Sequence, residues 1–352
     1  MNFYVNGYNI FVIIGTCFLA SLIFVQMMKK VAIFSNVMDF PDKKRKIHTK
    51  PMPLLGGLGI FTAFLLGYML FAPKDNLMLS ILIASFLIMM LGLFDDLTKC
   101  KTPMPNKYKV FVQIASAAIV VFYGGLQLTK ASMFGFTIHF GVFAPFVSIL
   151  IIVAIINAMN LIDGLDGLCA GISSIYFLTI LIIGYVLNKF GGLDIILCSI
   201  MLGCILGYLV HNFPPATIYQ GDAGSTFCGL MIAVVFLLGF KTSTLTSLIV
   251  PVLILAIPVM DTLFAIIRRK LKGMRIDEAD KEHIHHQLLK RFSKTSTLLV
   301  IYAINILFSV TTILYALKVK QFELIVCYII LIAIVLYLIL GTNVIFDRKK
   351  NK

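Results

Sequence analysis

Polar and apolar positions along this chain come in blocks. Long apolar runs separated by short polar stretches recur throughout, at about 8–28, 54–72, 77–94, 108–126, 144–161, 168–188, 192–212, 225–240, 243–267, 297–317 and 322–342. Crossing the ~30 Å hydrocarbon core takes about 20 apolar residues in helical form, because a helix satisfies its own backbone groups where no water can. The pattern predicts an all-α integral membrane protein with about 11 transmembrane helices. The run at 225–240 is short and that at 243–267 long, so their ends depend most on tertiary contacts. No repeat and no soluble segment of domain size interrupts the series, and residues 1–352 are expected to form a single polytopic domain. No lysine or arginine precedes the first run, which is expected to be retained rather than cleaved.

Composition agrees: 60% of residues are hydrophobic and 13% charged, which excludes an ordinary soluble enzyme. The net charge of +14 is a matter of sidedness. With the N-terminus outside, the inner loops hold 24 of the 30 lysines and arginines and the outer loops 6. That bias predicts N-outside, C-cytoplasmic. Anionic headgroups suffice as partners for such loops, and no nucleic acid is needed. The seven cysteines show neither metal-site nor disulfide spacing.

On that topology 13 of the 16 acidic residues are also cytoplasmic. "MMLGLFDDLTKC" puts Asp95 and Asp96 at the mouth of the third run. "NAMNLIDGLDGL" puts Asp163 and Asp166 between the fifth and sixth, and "NFPPATIYQGDAGST" puts Asp222 before the eighth. Asp261 lies in "PVMDTLFAIIRR", near the basic end of the ninth. An acid at the bilayer centre costs roughly 2.5–3.5 kcal/mol even on the permissive scale, and a helix mouth avoids most of that. These groups are expected to line a cleft open to the cytoplasm.

Carboxylates among basic loops suit a hard divalent cation, most simply Mg²⁺ with Mn²⁺ as a substitute, bound together with an anionic substrate. That points to phosphoryl chemistry, in which positioning and charge neutralisation dominate. Glycines in "DGLDG" and "GDAGS" allow tight turns and close backbone approach, and a helix opening at "GDAGS" would turn free N–H groups toward phosphate. Singly, each feature has a plain explanation. An Asp pair at a helix end is usually a solvated cap, "DGLDG" a turn, and "HIHH" a set of surface histidines. "KKRKIHTK" is a topology signal, and Asp261 is a partner for Arg268 or Arg269. Their coincidence on one face is what those explanations leave over.

Taken in order, "DFPDKKRKIHTKPMPLLGGLGI", "FDDLTK", "NAMNLIDGLDGL", "NFPPATIYQGDAGS" and "DKEHIHHQLL" resemble the polyprenyl-phosphate N-acetylhexosamine-1-phosphate transferases over most of the chain. The resemblance implies a bacterial plasma-membrane enzyme with a cytoplasmic active site and Mg²⁺ dependence. Its partners would be undecaprenyl phosphate, a UDP-N-acetylhexosamine and membrane lipids, with a homodimer as an assembly to test. Asp222 would ligate Mg²⁺, Asp95 would deprotonate or orient the lipid phosphate, and Asp96 would support it. Lys99 would contact phosphate, with Lys46 and His48 as further substrate contacts. Asn160, Asp163, Gly164 and Asp166 would shape the nucleotide pocket, and Asn212 and Tyr219 would lie at uridine. His283, as a catalytic group, His285 and His286 would meet the sugar phosphate. Direct displacement is simpler than a route through a phospho-aspartate, since the lipid phosphate is already a nucleophile. Ile284 interrupts the histidine cluster as in the N-acetylglucosamine branch, which starts wall teichoic acid or related glycans. Three consecutive histidines mark the muramoyl-pentapeptide branch, the alternative reading. A transporter is the alternative of another class, but it calls for charges near the midplane, and the run interiors here are nearly free of them.

Overall fold

Helices occupy the apolar runs wherever these are described, because a helix satisfies its backbone groups within a single segment. The computed structural model describes residues 3–41, 50–98, 104–133, 136–187, 189, 192–241, 249–274, 283–317, 326 and 328–333. The helices are α1 (Ile10–Phe34), α2 (Gly56–Phe71), α3 (Asn76–Thr98), α4 (Asn106–Ala118), α5 (Ala144–Ile162), α6 (Leu168–Val186), α7 (Leu193–Asn212), α8 (Gly221–Lys241), α9 (Ile249–Ile254), α10 (Ala256–Leu271), α11 (Ile284–Leu288) and α12 (Lys294–Ala316). Seven described helices are long and apolar enough to cross a membrane: α1, α3, α5, α6, α7, α8 and α12. At 16 residues α2 is about 24 Å long, short of the hydrocarbon thickness. Helix α4 continues as a wider π turn over Ile119–Tyr123, where the Gly124 N–H reaches the Ile119 carbonyl. Residues 328–333 are helical within the last run.

Two runs come out differently from their apolar lengths. The run expected to be short is the 21-residue α8, because "GDAGS" forms its first turn. From residue 249 on, the run expected to be long is two helices, α9 and α10, separated at Leu255. Pro258 accounts for the break: it has no N–H for the carbonyl four residues back, and its ring crowds that carbonyl.

Helix α8 is the axis of the bundle. Every residue from Ala223 to Gly239 is buried, as expected of a helix that is apolar on all sides. It packs against α3 and α5 and also meets α2; α1 lies along α2 and α7, and α6 along α7 and α12. Close approach at its N-terminal end requires missing side chains. A Cβ on Gly57 would sit 2.3 Å from the Gly224 nitrogen, and one on Gly92 2.3 Å from the Ala223 Cα. The described residues also form three two-stranded antiparallel ribbons, pairing Tyr4–Val5 with Tyr8–Asn9 (β1, β2), Met38–Asp39 with Met52–Pro53 (β3, β4), and Lys130–Met133 with Phe136–His139 (β5, β6).

Candidate active site

Three helix ends converge at one end of this bundle: the last turns of α3, the first turn of α8 and the first turn of α4. They bring Asp95, Asp96 and Asp222 together, with an oxygen of each within 4.8 Å of the others. The adjacent acids of α3 serve different neighbours. Asp96 accepts from the Asp222 N–H at 2.9 Å and the Ala223 N–H at 3.1 Å, so its carboxylate caps α8 from across the bundle. A helix start carries unsatisfied N–H groups and partial positive charge, which suits a buried carboxylate. Gly221 turns the chain into α8 at φ +68°, and a side chain there would strike Asp96.

Asp95 faces α4. Its Oδ2 accepts from Lys109 Nζ at 2.7 Å, and the same ammonium reaches Asp222 Oδ2 at 3.0 Å. The other oxygen of Asp95 is buried without a hydrogen-bond partner. A buried carboxylate oxygen left unpaired next to two further carboxylates is a site for a cation or a strong donor. The donor set is all hard oxygen, which fits Mg²⁺.

Beside this cluster, the Asn160 amide at the end of α5 donates to Ser225 Oγ at 2.9 Å, and that hydroxyl donates to the Gly221 carbonyl at 3.1 Å. The chain then leaves the helix at Asp163 and exposes Gly164. Asn212 clamps this loop to the next: its Oδ1 accepts from the Gly167 N–H, and its amide donates to the Ile218 carbonyl, both at 2.9 Å. Asp166 accepts from the Ala216 N–H at 3.4 Å. Tyr219 is pinned through its backbone, donating to the Pro53 carbonyl at 2.8 Å and accepting from the Gly56 N–H at 2.9 Å. Burial, with the Asp166 carboxylate beside it, pushes the phenol well above its ordinary value.

The histidines close the other side. A Cβ on Gly164 would lie 2.3 Å from His285 Nε2, so the loop rides on that ring. His285 stacks on His283 at 5.8 Å between centroids and meets His286 at 4.3 Å. It is 2% exposed, and neither ring nitrogen has a hydrogen-bond partner. Burial, reinforced by the His286 imidazole, pushes its pKa down to about 3 against the pull of Asp261, so the ring is neutral at physiological pH. Asp261 on α10 accepts from the Ile284 N–H at Oδ1, and its Oδ2 makes a hydrogen bond with His283 Nδ1, both at 2.9 Å. Both oxygens serve the histidine segment, in place of the pairing with Arg268 or Arg269 that spacing suggests.

Asp95, Asp96 and Asp222 thus form one group. Asn160 adjoins it through Ser225, while Asp163, Gly164, Asp166 and Tyr219 belong to two loops clamped by Asn212 at the end of α7, and His283, His285 and His286 flank them. Lys46, His48 and Lys99 lie outside the described residues. Sequence reasoning passed over Lys109, which it counted only as a topology charge, and Ser225. A signal existed for the lysine: Gln113 and Ser116 follow it at helical spacing, so α4 presents a polar face, and Gln113 accepts from the Asn157 amide of α5 at 2.7 Å.

Comparison with known proteins gives the chain's relatives. Residues 78–240 match glycosyl transferase family 4. The chain is 37% identical over 319 residues to the "Probable undecaprenyl-phosphate N-acetylglucosaminyl 1-phosphate transferase" of Bacillus subtilis, covering 89% of this chain and 87% of that one. It is 30% identical to the undecaprenyl-phosphate alpha-N-acetylglucosaminyl 1-phosphate transferase of Salmonella typhi, over 78% of this chain and 74% of that one. It is 29% identical to the decaprenyl-phosphate N-acetylglucosaminephosphotransferase of Mycolicibacterium smegmatis, over 75% and 71%. With the motifs in place around one acidic cluster, the chain belongs to the polyprenyl-phosphate N-acetylhexosamine-1-phosphate transferases of glycosyl transferase family 4.

Proposed function

We propose that the protein transfers N-acetylglucosamine 1-phosphate from UDP-N-acetylglucosamine to undecaprenyl phosphate, as the first membrane step of wall teichoic acid or another surface glycan. The observation that carries this reading is the convergence of Asp95, Asp96 and Asp222 at the start of α8, with a buried carboxylate oxygen unpaired among them. The names of the relatives in Bacillus subtilis and Salmonella typhi support the lipid and the sugar. An oxygen of the lipid phosphate attacks the sugar-linked phosphorus. The bond from that phosphorus to the bridging oxygen breaks, and UMP leaves with that oxygen.

Asp222 and the unpaired oxygen of Asp95 would hold Mg²⁺, or Mn²⁺ in its place, and the ion supplies charge neutralisation on the diphosphate. Asp95 orients the lipid phosphate, and Asp96 keeps the start of α8 in place. Lys109 holds the two carboxylates together and offers its ammonium to phosphate once they are otherwise engaged. Asn160, Asp163, Gly164 and Asp166 shape the nucleotide pocket. Asn212 and Tyr219 bound it on the uridine side, and His283 and His286 meet the sugar phosphate; His285, expected from the sequence to join them, is buried and instead packs against both rings. Lys99 contacts phosphate, and Lys46 and His48 complete the substrate contacts. The membrane arrangement in this reading is eleven spans, N-terminus outside, with the cleft on the cytoplasmic face of a bacterial plasma membrane.

Purified protein incubated with undecaprenyl phosphate, Mg²⁺ and either UDP-GlcNAc or UDP-MurNAc-pentapeptide tests the proposal. UMP release with UDP-GlcNAc is expected. Release with the muramoyl substrate alone would overturn the sugar, and release with neither would overturn the activity.

A further inference from the structure

Asp261 is left over by this account. It is 2% exposed, lies on α10 rather than on any loop of the acidic cluster, and holds the start of α11 with both oxygens. We propose that Asp261 is a positioning residue for the transfer. It fixes His283 with a proton on Nδ1, so that Nε2 is the nitrogen this ring offers the substrate. The inference rests on the function proposed above, in which His283 meets the sugar phosphate.

An ionised carboxylate only accepts, so the 2.9 Å contact to Nδ1 requires a proton on that nitrogen, whether the ring is neutral or charged. The second oxygen accepts from the Ile284 N–H, so the carboxylate is held at both oxygens by two adjacent residues. Stacking on His285 fixes the other face of His283, and Gly164 in turn abuts His285. The orientation set on α10 therefore reaches the "DGLDG" loop through two imidazoles.

A purely structural cap would behave differently on substitution. In Asp261→Asn the amide oxygen can still accept from the Ile284 N–H, which turns the amide NH₂ toward Nδ1. The cap is kept and the tautomer is inverted, with the proton now on Nε2.

The full chain in detergent, labelled with ¹⁵N-histidine, reads this directly, with the His283 signal identified by its loss in His283→Gln. Expected are a protonated Nδ1 in the wild type and a bare Nδ1 in Asp261→Asn. In that variant kcat for UMP release should fall about 10–100-fold, as for other orienting partners of histidine. The KM for UDP-GlcNAc should stay within about threefold, since the lost contact belongs to the transition state. The double variant Asp261→Asn/His283→Gln should be no slower than His283→Gln alone. A bare Nδ1 in the wild type overturns the proposal without any variant. An inverted tautomer with unchanged kcat, or losses that add in the double variant, overturns it as well. Absence of UMP release in the wild type would instead remove the proposed function, and the tautomer measurement would still decide the bond.

Discussion

Asp95 and Asp96 are neighbours in the chain with different work, and the difference is testable one residue at a time. Asp96 spends both oxygens on backbone N–H groups of α8. In Asp96→Asn one of those acceptors becomes a donor facing a donor, leaving a buried N–H unpaired at about 1–3 kcal/mol. The expected result is a lower melting temperature in detergent. Asp95→Asn and Asp222→Asn should instead keep abundance and monodispersity while UMP release falls by about 10²–10³ or more. Near-normal turnover in either would remove that residue from the mechanism. Lys109 bridges the two, 14 and 113 residues away in the chain. Lys109→Met should leave them repelling each other and lower both stability and turnover. Millimolar Mg²⁺ should restore the melting temperature of this variant, because an ion that binds only the folded form stabilises it. A melting temperature indifferent to Mg²⁺ would count against the acidic cluster as a cation site.

At the scale of elements, what matters is how α8 is brought to the acids. Its first turn is hemmed in by α2 and α3 at Gly57 and Gly92, against backbone atoms that cannot swing aside. Gly92→Ala should therefore cost about 1–3 kcal/mol as overpacking, read as thermal stability in detergent, and disturb turnover with it. Gly164→Ala meets a side chain instead, the ring edge of His285. Because that ring is buried against His283 and His286, the expected signature is a slower reaction together with lower stability, measured as UMP release beside a melting curve. The broken pair α9 and α10 belongs to the same scale. Pro258 ends α9 early, and the separate helix α10 carries Asp261 to the histidine segment.

At the scale of the whole molecule, the burial of His285 links stability to pH. Its pKa falls from an ordinary 6.5 to about 3 on folding, so between those values the unfolded chain binds the extra proton. Stability from this group is fully present above the ordinary value and is lost as pH falls below it, by about 2 kcal/mol at pH 5. Melting curves across that window should decline in the wild type and flatten in His285→Gln. Sidedness is testable at the same scale. Single cysteines placed near Lys74 and Lys189 in a cysteine-free variant should label from outside, and one near Lys272 should not. Labelling at Lys272 would overturn the topology and the cytosolic sugar nucleotide with it.

Hydrophobic blocks are a one-dimensional property, and the sequence alone determined where most of the described helices run because lipid demands a local, continuous apolar stretch. It also determined the family, since "FDDLTK", "NLIDGLDGL" and "GDAGS" are read residue by residue. The resemblance gave Asp95 and Asp96 different roles, but sequence could not name the groups that hold each, because adjacent carboxylates look alike until one finds α8 and the other α4. Nor could it assign Lys109 or Asp261, whose partners lie up to 113 and 23 residues away on other helices. Only the tertiary structure decided those pairings. Buried charges are stabilised by whichever groups packing brings within hydrogen-bond reach, and that geometry is set by glycines and helix ends rather than by spacing along the chain.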